Sequence, residues 1–214
     1  MAAVAEVRHI GRANVAKRLR ALEGTPARTV YAGGSVRIEL DEAVLTVTPP
    51  FGLEHEGQYD VVRAGPLLDA LESEPRVAVL LVRMGGYAVG VFEGERLVAS
   101  KVGTRFVKGR HKKGGSSSNR FRRRRGEQER ELVDAAAAEA ARVLGPWRER
   151  VEHVALGGDR SAVARVLESR ADLAWVHPLA IERFFDVPEP RLRVLEELPY
   201  QLYAARVVEE QLER

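Results

Sequence analysis

The chain contains no cysteine. This absence excludes disulfide bonds, zinc sites built from thiolates and catalysis by a cysteine nucleophile. The five histidines stand far apart in the sequence, and no two of them have the spacing of metal ligands. We therefore expect a protein that binds no metal and needs no cofactor.

Long apolar runs are also missing. No uninterrupted apolar stretch approaches the roughly 18 residues that a membrane-spanning helix needs. Charged residues interrupt the N-terminal region where a secretory signal would be apolar. A hydrophobic content of 45% with 30% charged residues is ordinary for a globular protein that buries a core. These features lead us to expect a cytoplasmic protein without a membrane partner.

Acidic residues are absent from one long stretch of the chain. Residues 96–126 hold 12 of the 34 Lys and Arg residues and none of the 31 Asp and Glu residues. The remaining sequence has 22 basic against 31 acidic residues, so a body near −9 carries one patch of +12. Such a concentration of positive charge favours a polyanionic partner, above all nucleic acid.

The first third of the sequence has no chemical signature. Its hydrophobic spacing predicts short elements: a helix over 11–23, strands over 36–40 and 44–47, and a helix over 64–73. We therefore assign residues 1–70 to a small N-terminal α/β extension and residues 71–214 to the domain that carries the function.

A mixed sheet is predicted in the larger domain. Apolar runs separated by short glycine-containing turns predict three antiparallel strands, over 77–84, 87–92 and 96–102. The predicted elements that follow are a basic loop over 103–125, a helix over 126–144, a strand over 151–156, a helix over 159–169, a strand over 171–176 and helical segments over 190–214. This order predicts an α+β protein with a ribonuclease H-like mixed sheet flanked by helices.

The centre of the basic loop is the glycine pair Gly114-Gly115, followed by three serines. This composition disfavours a helix interior or a central strand, and it allows a ligand to approach the backbone closely. Free N–H groups in such a loop can bind anionic or developing oxyanionic atoms, while the flanking cations hold phosphates. Phe121 can stack on a base or pack against the stem of the loop. A plain flexible linker within a nonspecific RNA-binding patch is the alternative.

Two weaker patterns suggest other sites. Gly157-Gly158-Asp159 follows a predicted strand like a phosphate-binding turn, but no Lys-Ser or Lys-Thr pair follows it. An ordinary turn with Asp159 or Ser161 as the helix cap is therefore favoured. Asp159, Asp172 and Asp186 would be the carboxylates of a ribonuclease H-type metal site. Their spacing does not place them on adjacent strands, so this site is disfavoured.

Residues 114–121, Gly-Gly-Ser-Ser-Ser-Asn-Arg-Phe, resemble the catalytic loop of eukaryotic-type class-1 peptide release factors. That loop has Gly-Gly-Gln, three variable residues and then Arg-Phe. The glycine pair, the spacing to Arg120-Phe121, the arginines that follow and the downstream helix all match. The sequence is most similar to the Vms-like release factors, especially their actinobacterial branch, over about residues 75–200. The resemblance implies the ribonuclease H-like central domain of those factors.

The resemblance also implies a substrate, partners and site residues. The substrate would be peptidyl-tRNA, and the loop would enter the peptidyl transferase centre of the large ribosomal subunit to promote attack by water on the peptidyl ester. The implied catalytic positions are Gly114, Gly115, Ser116, Ser117, Ser118 and Asn119. The implied contacts to rRNA or tRNA phosphate are Arg105, Lys108, Arg110, Lys112, Lys113, Arg120, Arg122, Arg123, Arg124 and Arg125. Phe121 would anchor the loop.

One position departs from the release-factor pattern, because Ser116 stands where those proteins have glutamine. Three alternatives follow: backbone groups and water suffice for hydrolysis, Asn119 or a serine hydroxyl substitutes for the glutamine, or the loop binds without hydrolysing. Since 214 residues leave no room for a further codon-reading domain, we expect a peptidyl-tRNA hydrolase that rescues stalled ribosomes. The alternatives are a non-catalytic ribosome- or RNA-binding module and an endonuclease that cuts the tRNA 3′ end.

Overall fold

The computed structural model describes residues 5–104 and 118–212, and for residues 118–125 it describes the backbone alone. The chain forms two compact units. One unit combines the residues up to Ser73 with those from Leu198 onward, and the other is the continuous segment Glu74–Glu197. The functional division into 1–70 and 71–214 stays a prediction, because compactness alone does not test which residues act together.

The elements are numbered in chain order. The strands are β1 (Ala5–Gly11), β2 (Pro26–Ala32), β3 (Ser35–Glu39), β4 (Ala43–Thr48), β5 (Gly57–Val61), β6 (Arg76–Arg83), β7 (Gly86–Glu93), β8 (Arg96–Thr104), β9 (His153–Gly158), β10 (Ala180–Phe185) and β11 (Ala204–Gln211). The α-helices are α1 (Arg12–Leu22), α2 (Gly65–Glu72), α3 (Ser118–Leu144), α4 (Arg160–Glu168), α5 (Leu192–Glu196) and α6 (Pro199–Leu202), and two 3₁₀ segments cover Gly145–Trp147 and Ala171–Leu179. Among the described helices, none is long and apolar enough to cross a membrane.

The continuous unit is built on a five-stranded mixed sheet with the order β10-β9-β6-β7-β8. Strands β6, β7 and β8 form an antiparallel meander, while β9 is parallel to β6 and β10 is parallel to β9. Helices α3 and α4 bury the apolar side chains of β6 and β7 on one face, and α5 packs against β7 and β8. This strand order and these covering helices confirm the predicted ribonuclease H-like fold.

The other unit is a six-stranded antiparallel sheet with the order β1-β11-β4-β3-β2-β5. Its core is formed where α1 and α2 pack on the sheet: Leu19 and Leu67 are fully buried beside Tyr31 and Ile38. Strand β11 lies between β1 and β4, so the end of the chain completes a sheet that the start of the chain begins.

Two predicted elements near the C-terminus are wrong. The strand predicted over 171–176 is a 3₁₀ segment, in which three residues per turn place the buried Leu173 and Val176 on the same side. The strand comes later, as β10. The helical prediction over 190–214 holds only for the short α5 and α6, since residues 204–211 are extended in β11.

Candidate nucleic-acid interface

Strands β6, β8, β9 and β10 all end at the same side of the five-stranded sheet, which we call the carboxyl edge. Thr104, the last residue of β8, pairs with Gly86, and Gly86 also pairs with Arg83 at the end of β6. Gly158, the last residue of β9, pairs with Val82. Strand β8 therefore ends at the carboxyl edge with Thr104, the last described residue before the gap at 105–117.

The predicted site residues fall into two groups. Those in the first group lie outside the described residues: Arg105, Lys108, Arg110, Lys112, Lys113, Gly114, Gly115, Ser116 and Ser117. Those in the second group occupy the first eight positions of α3: Ser118, Asn119, Arg120, Phe121, Arg122, Arg123, Arg124 and Arg125. Their proposed roles stay predictions.

The basic loop is shorter than the predicted 103–125, because β8 continues through Thr104 and α3 begins at Ser118 instead of residue 126. Arginine is a strong helix former, and no glycine or proline interrupts residues 118–125. Gly126 does not end the helix, since an isolated glycine in a helix interior costs only about 1 kcal/mol.

The N-terminal part of helix α3 extends well beyond the half of the helix that packs on the core. Among its described side chains, the first buried one is Leu132, and the buried stripe runs from there to Leu144. The fourteen residues before Leu132 make about 20 Å of helix. The C-terminal end of α3 leads into the start of β9, so its N-terminal end points toward the carboxyl edge. The last residue of β8 and the N-terminal end of α3 are therefore directed to the same side of the sheet.

Tight packing holds the end of β8 against β7. A Cβ atom on Gly103 would lie 2.3 Å from the Cζ atom of Tyr87, which is buried in the neighbouring strand β7. A Cβ atom on Gly86 would lie 2.9 Å from the carbonyl oxygen of Gly103. The paired strands approach closely here because both positions lack side chains.

We expect the G103A substitution to destabilise the protein by about 1–3 kcal/mol, because Tyr87 must move to admit the methyl group. Urea unfolding of the purified variant measures this change. The control is G126A, which has open space around the added Cβ atom inside α3 and should stabilise the protein by about 0.5–1 kcal/mol. Equal unfolding midpoints for G103A and the unchanged protein would contradict the packing argument.

The glycine turn after β9 has a structural role, as the sequence favoured. Gly158 has a φ of +98°, and a Cβ atom there would lie 2.1 Å from the carbonyl oxygen of Val82. Asp159 then caps α4: its Oδ1 atom accepts hydrogen bonds from the Ser161 hydroxyl at 2.7 Å and from the N–H groups of Ser161 at 2.9 Å and Ala162 at 3.2 Å. These bonds, the Ser161 hydroxyl foremost, hold the pKa of Asp159 below its ordinary value. The N–H groups of Ser161 and Ala162 in the first turn of α4 are thus already bound by the Asp159 carboxylate.

The three aspartates considered for a metal site serve separate local contacts. Asp172 forms an ion pair with Arg170 at 2.6 Å, and Asp186 forms one with Arg83 at 3.2 Å, while Asp159 caps α4. Within residues 5–104 and 118–212, as far as side chains are described, no group of carboxylates and histidines is arranged to hold a metal ion.

One arginine at the carboxyl edge was not predicted from the sequence. Arg160, the first residue of α4, places its guanidinium carbon 4.2 Å from the ring centre of Phe184 in β10. The sequence does show that Arg160 follows the predicted helix cap Asp159 and so begins a helix. It does not show the contact with Phe184, which lies 24 residues further along the chain.

A family model described as the Actinobacteria/chloroflexi VLRF1 release factor matches residues 75–208. This match covers more than half of the chain, and the protein belongs to that release-factor family, which confirms the Vms-like resemblance. No curated protein matches the chain.

Three solved structures have distant similarity to the chain. The archaeal translation termination factor aRF1 is 16% identical, with a TM-score of 0.45, over 91% of this chain and 73% of its own. The Vms1 mitochondrial localization core is 11% identical, with a TM-score of 0.42, over 91% and 80%. Dom34 of S. cerevisiae, a translation termination-like factor, is 7% identical, with a TM-score of 0.38, over 91% and 62%. At these scores the three structures carry no argument about function.

Proposed function

We propose that the protein is a peptidyl-tRNA hydrolase that frees the nascent peptide on stalled ribosomes. The observation that carries this proposal is the family match over residues 75–208, because that range includes the glycine pair and the cations on both sides of it. The large ribosomal subunit, its rRNA and peptidyl-tRNA are the proposed partners.

The distribution of charge supports RNA as the partner. Apart from residues 96–126 the chain has more acidic than basic residues, so phosphate is repelled by most of the surface and attracted by this segment. The described elements on either side of these cations are the end of β8, which lies at the carboxyl edge, and the N-terminal end of α3, which points toward the same edge.

The proposed reaction is hydrolysis of an ester. Water attacks the carbonyl carbon that joins the peptide to the tRNA, and the oxyanion that develops is stabilised by backbone N–H groups of the Gly114-Gly115 segment. The bond from the carbonyl carbon to the tRNA 3′ oxygen then breaks, and that oxygen takes a proton derived from the water. The products are a peptide with a free carboxylate and a tRNA with a free hydroxyl. Ser116 and Asn119 are the candidates for positioning the water in place of glutamine.

The experiment is a release assay with the full chain. Stalled 70S complexes and split 50S complexes that carry peptidyl-tRNA are incubated with the protein, and the peptide is analysed by gel and by mass. Release of a peptide with a free carboxylate is the expected result. Peptide that carries terminal nucleotides would instead establish cleavage of the tRNA 3′ end.

The missing glutamine favours one second candidate, a non-catalytic module that binds the ribosome. In that case the protein would bind 50S subunits in a salt-sensitive manner, release no peptide, and tolerate alanine at Ser116 and Asn119. Absence of both binding and release would rule out both functions.

A further inference from the structure

Arg160 lies exposed at the carboxyl edge, with one face of its side chain on an aromatic ring. Phe184 is half-buried against the core that α3 and α4 cover, and the 4.2 Å separation from the guanidinium carbon is within the range of a cation–π contact. The contact with the ring restrains the guanidinium, and Arg160 is exposed to solvent beside it. A cation–π contact of this kind restrains an arginine without engaging its N–H groups in hydrogen bonds.

Arg160 differs from its neighbours in having no carboxylate partner among the described residues. Arg83 pairs with Asp186 at 3.2 Å, and Arg191 pairs with Glu189 at 2.8 Å. The nearest carboxylate in sequence, Asp159, is engaged in capping α4. The charge of Arg160 is therefore available to a ligand at the carboxyl edge.

Helix α4 packs against α3, whose residues 122–125 we call the arginine block. Both helices begin at the carboxyl edge and run toward the opposite edge, and Arg165 of α4 reaches Glu129 of α3 at 3.6 Å. Arg160 precedes Arg165 by about one and a half turns, and the arginine block precedes Glu129 by about one to two turns. The two sets of arginines thus lie on neighbouring helices on the same side of this contact.

We propose that Arg160, held by Phe184, binds a phosphate group of the RNA that the arginine block contacts, so that the RNA interface extends from α3 onto α4. This inference rests on the proposed function, since it takes the arginine block to be RNA-binding. A planar guanidinium with free in-plane donors is suited to bidentate binding of phosphate. Because Asp159 occupies the first N–H groups of α4, the phosphate is bound by the side chain of Arg160 and not by the helix terminus.

The test is the equilibrium binding of the full chain to purified 50S subunits over a series of KCl concentrations. R160Q is expected to weaken binding about fivefold to tenfold and to make the slope of log K against log [salt] shallower by about 0.7–0.9, the loss of one phosphate contact. R160K keeps the charge and should keep the slope, while losing part of the affinity because the planar stack is gone. The matched control is R148Q, an exposed arginine paired with Glu149, which should change neither quantity.

The outcomes separate this inference from the proposed function. If the unchanged protein binds 50S subunits and R160Q binds with the same affinity and slope, Arg160 makes no phosphate contact and the inference fails alone. If the unchanged protein does not bind, the proposed function and the inference both fail. A melting temperature for each variant shows that folding is intact. If R160Q is destabilised, the affinity of R160K decides the case, because the inference expects it to fall at an unchanged slope and fails if the affinity is unchanged as well.

Discussion

Replacing Arg122, Arg123, Arg124 and Arg125 together by glutamine is expected to weaken binding to the large ribosomal subunit at least roughly 100-fold. Each phosphate contact adds about 0.7–0.9 to the slope of log K against log [salt], so four lost contacts make the slope shallower by about three. Glutamine is also a good helix former, so the backbone of α3 should be preserved. Binding to 50S subunits at several salt concentrations measures both quantities.

The control for this variant removes the same number of charges elsewhere. Its four positions are exposed arginines in surface ion pairs with carboxylates: Arg142, Arg148, Arg170 and Arg193. Exposed ion pairs of this kind contribute little to stability, so the control protein should fold. Equal losses of affinity in the two variants would mean that net charge, and not the position of the arginines, governs binding.

Local patterns were sufficient to predict the centre of the ribonuclease H-like sheet. Strands β6 and β7 are apolar runs bounded by glycine turns, and both are buried on two faces as such runs indicate. The C-terminal half of α3 was also predictable from a local pattern, because its buried alanine and leucine residues recur with the helical period. In these elements the pattern of buried side chains and the intrinsic secondary-structure preference of the residues favour the same conformation.

Where prediction failed, distant partners decide the conformation. Residues 204–211 combine valines, which favour a strand, with alanine and glutamate, which favour a helix. The segment becomes β11 because β1 and β4 offer hydrogen-bonding partners on both sides. Residues 171–176 were mistaken for a strand because Leu173 and Val176 are apolar, although their spacing of three also fits a 3₁₀ turn. Spacing over so few residues does not separate the two.

The sequence was sufficient to predict which residues form the candidate site, but not how the residues around it are arranged in space. The cluster of cations and the glycine pair are visible in the sequence, whereas the roles of Gly103 and Arg160 depend on contacts across strands. Gly103 is required by a ring in β7, and Arg160 is held by a ring in β10. The residues next to Gly103 and Arg160 in the sequence do not identify these partners, because the sheet supplies them.

Substituting alanine for both Gly114 and Gly115 is expected to reduce the rate of peptide release by about 10²–10³-fold, the usual effect of losing a donor to a developing oxyanion. Two added methyl groups would keep the backbone from approaching the ester and would restrict its conformations. Binding to 50S subunits should change little, since the cations are untouched. Single-turnover release from stalled complexes at saturating protein measures the rate, and G126A, a glycine beyond the arginines with open space around it, is the control.

The comparison of release with binding in this double variant decides between catalysis and anchoring. Loss of release with retained binding means that the glycine pair acts on the reacting ester, as a hydrolase requires. Unchanged release would contradict the proposed role of the pair and would direct attention to Ser116 and Asn119. Equal loss of both would mean that the pair shapes the docked segment as a whole, because the chemistry then fails only where binding fails.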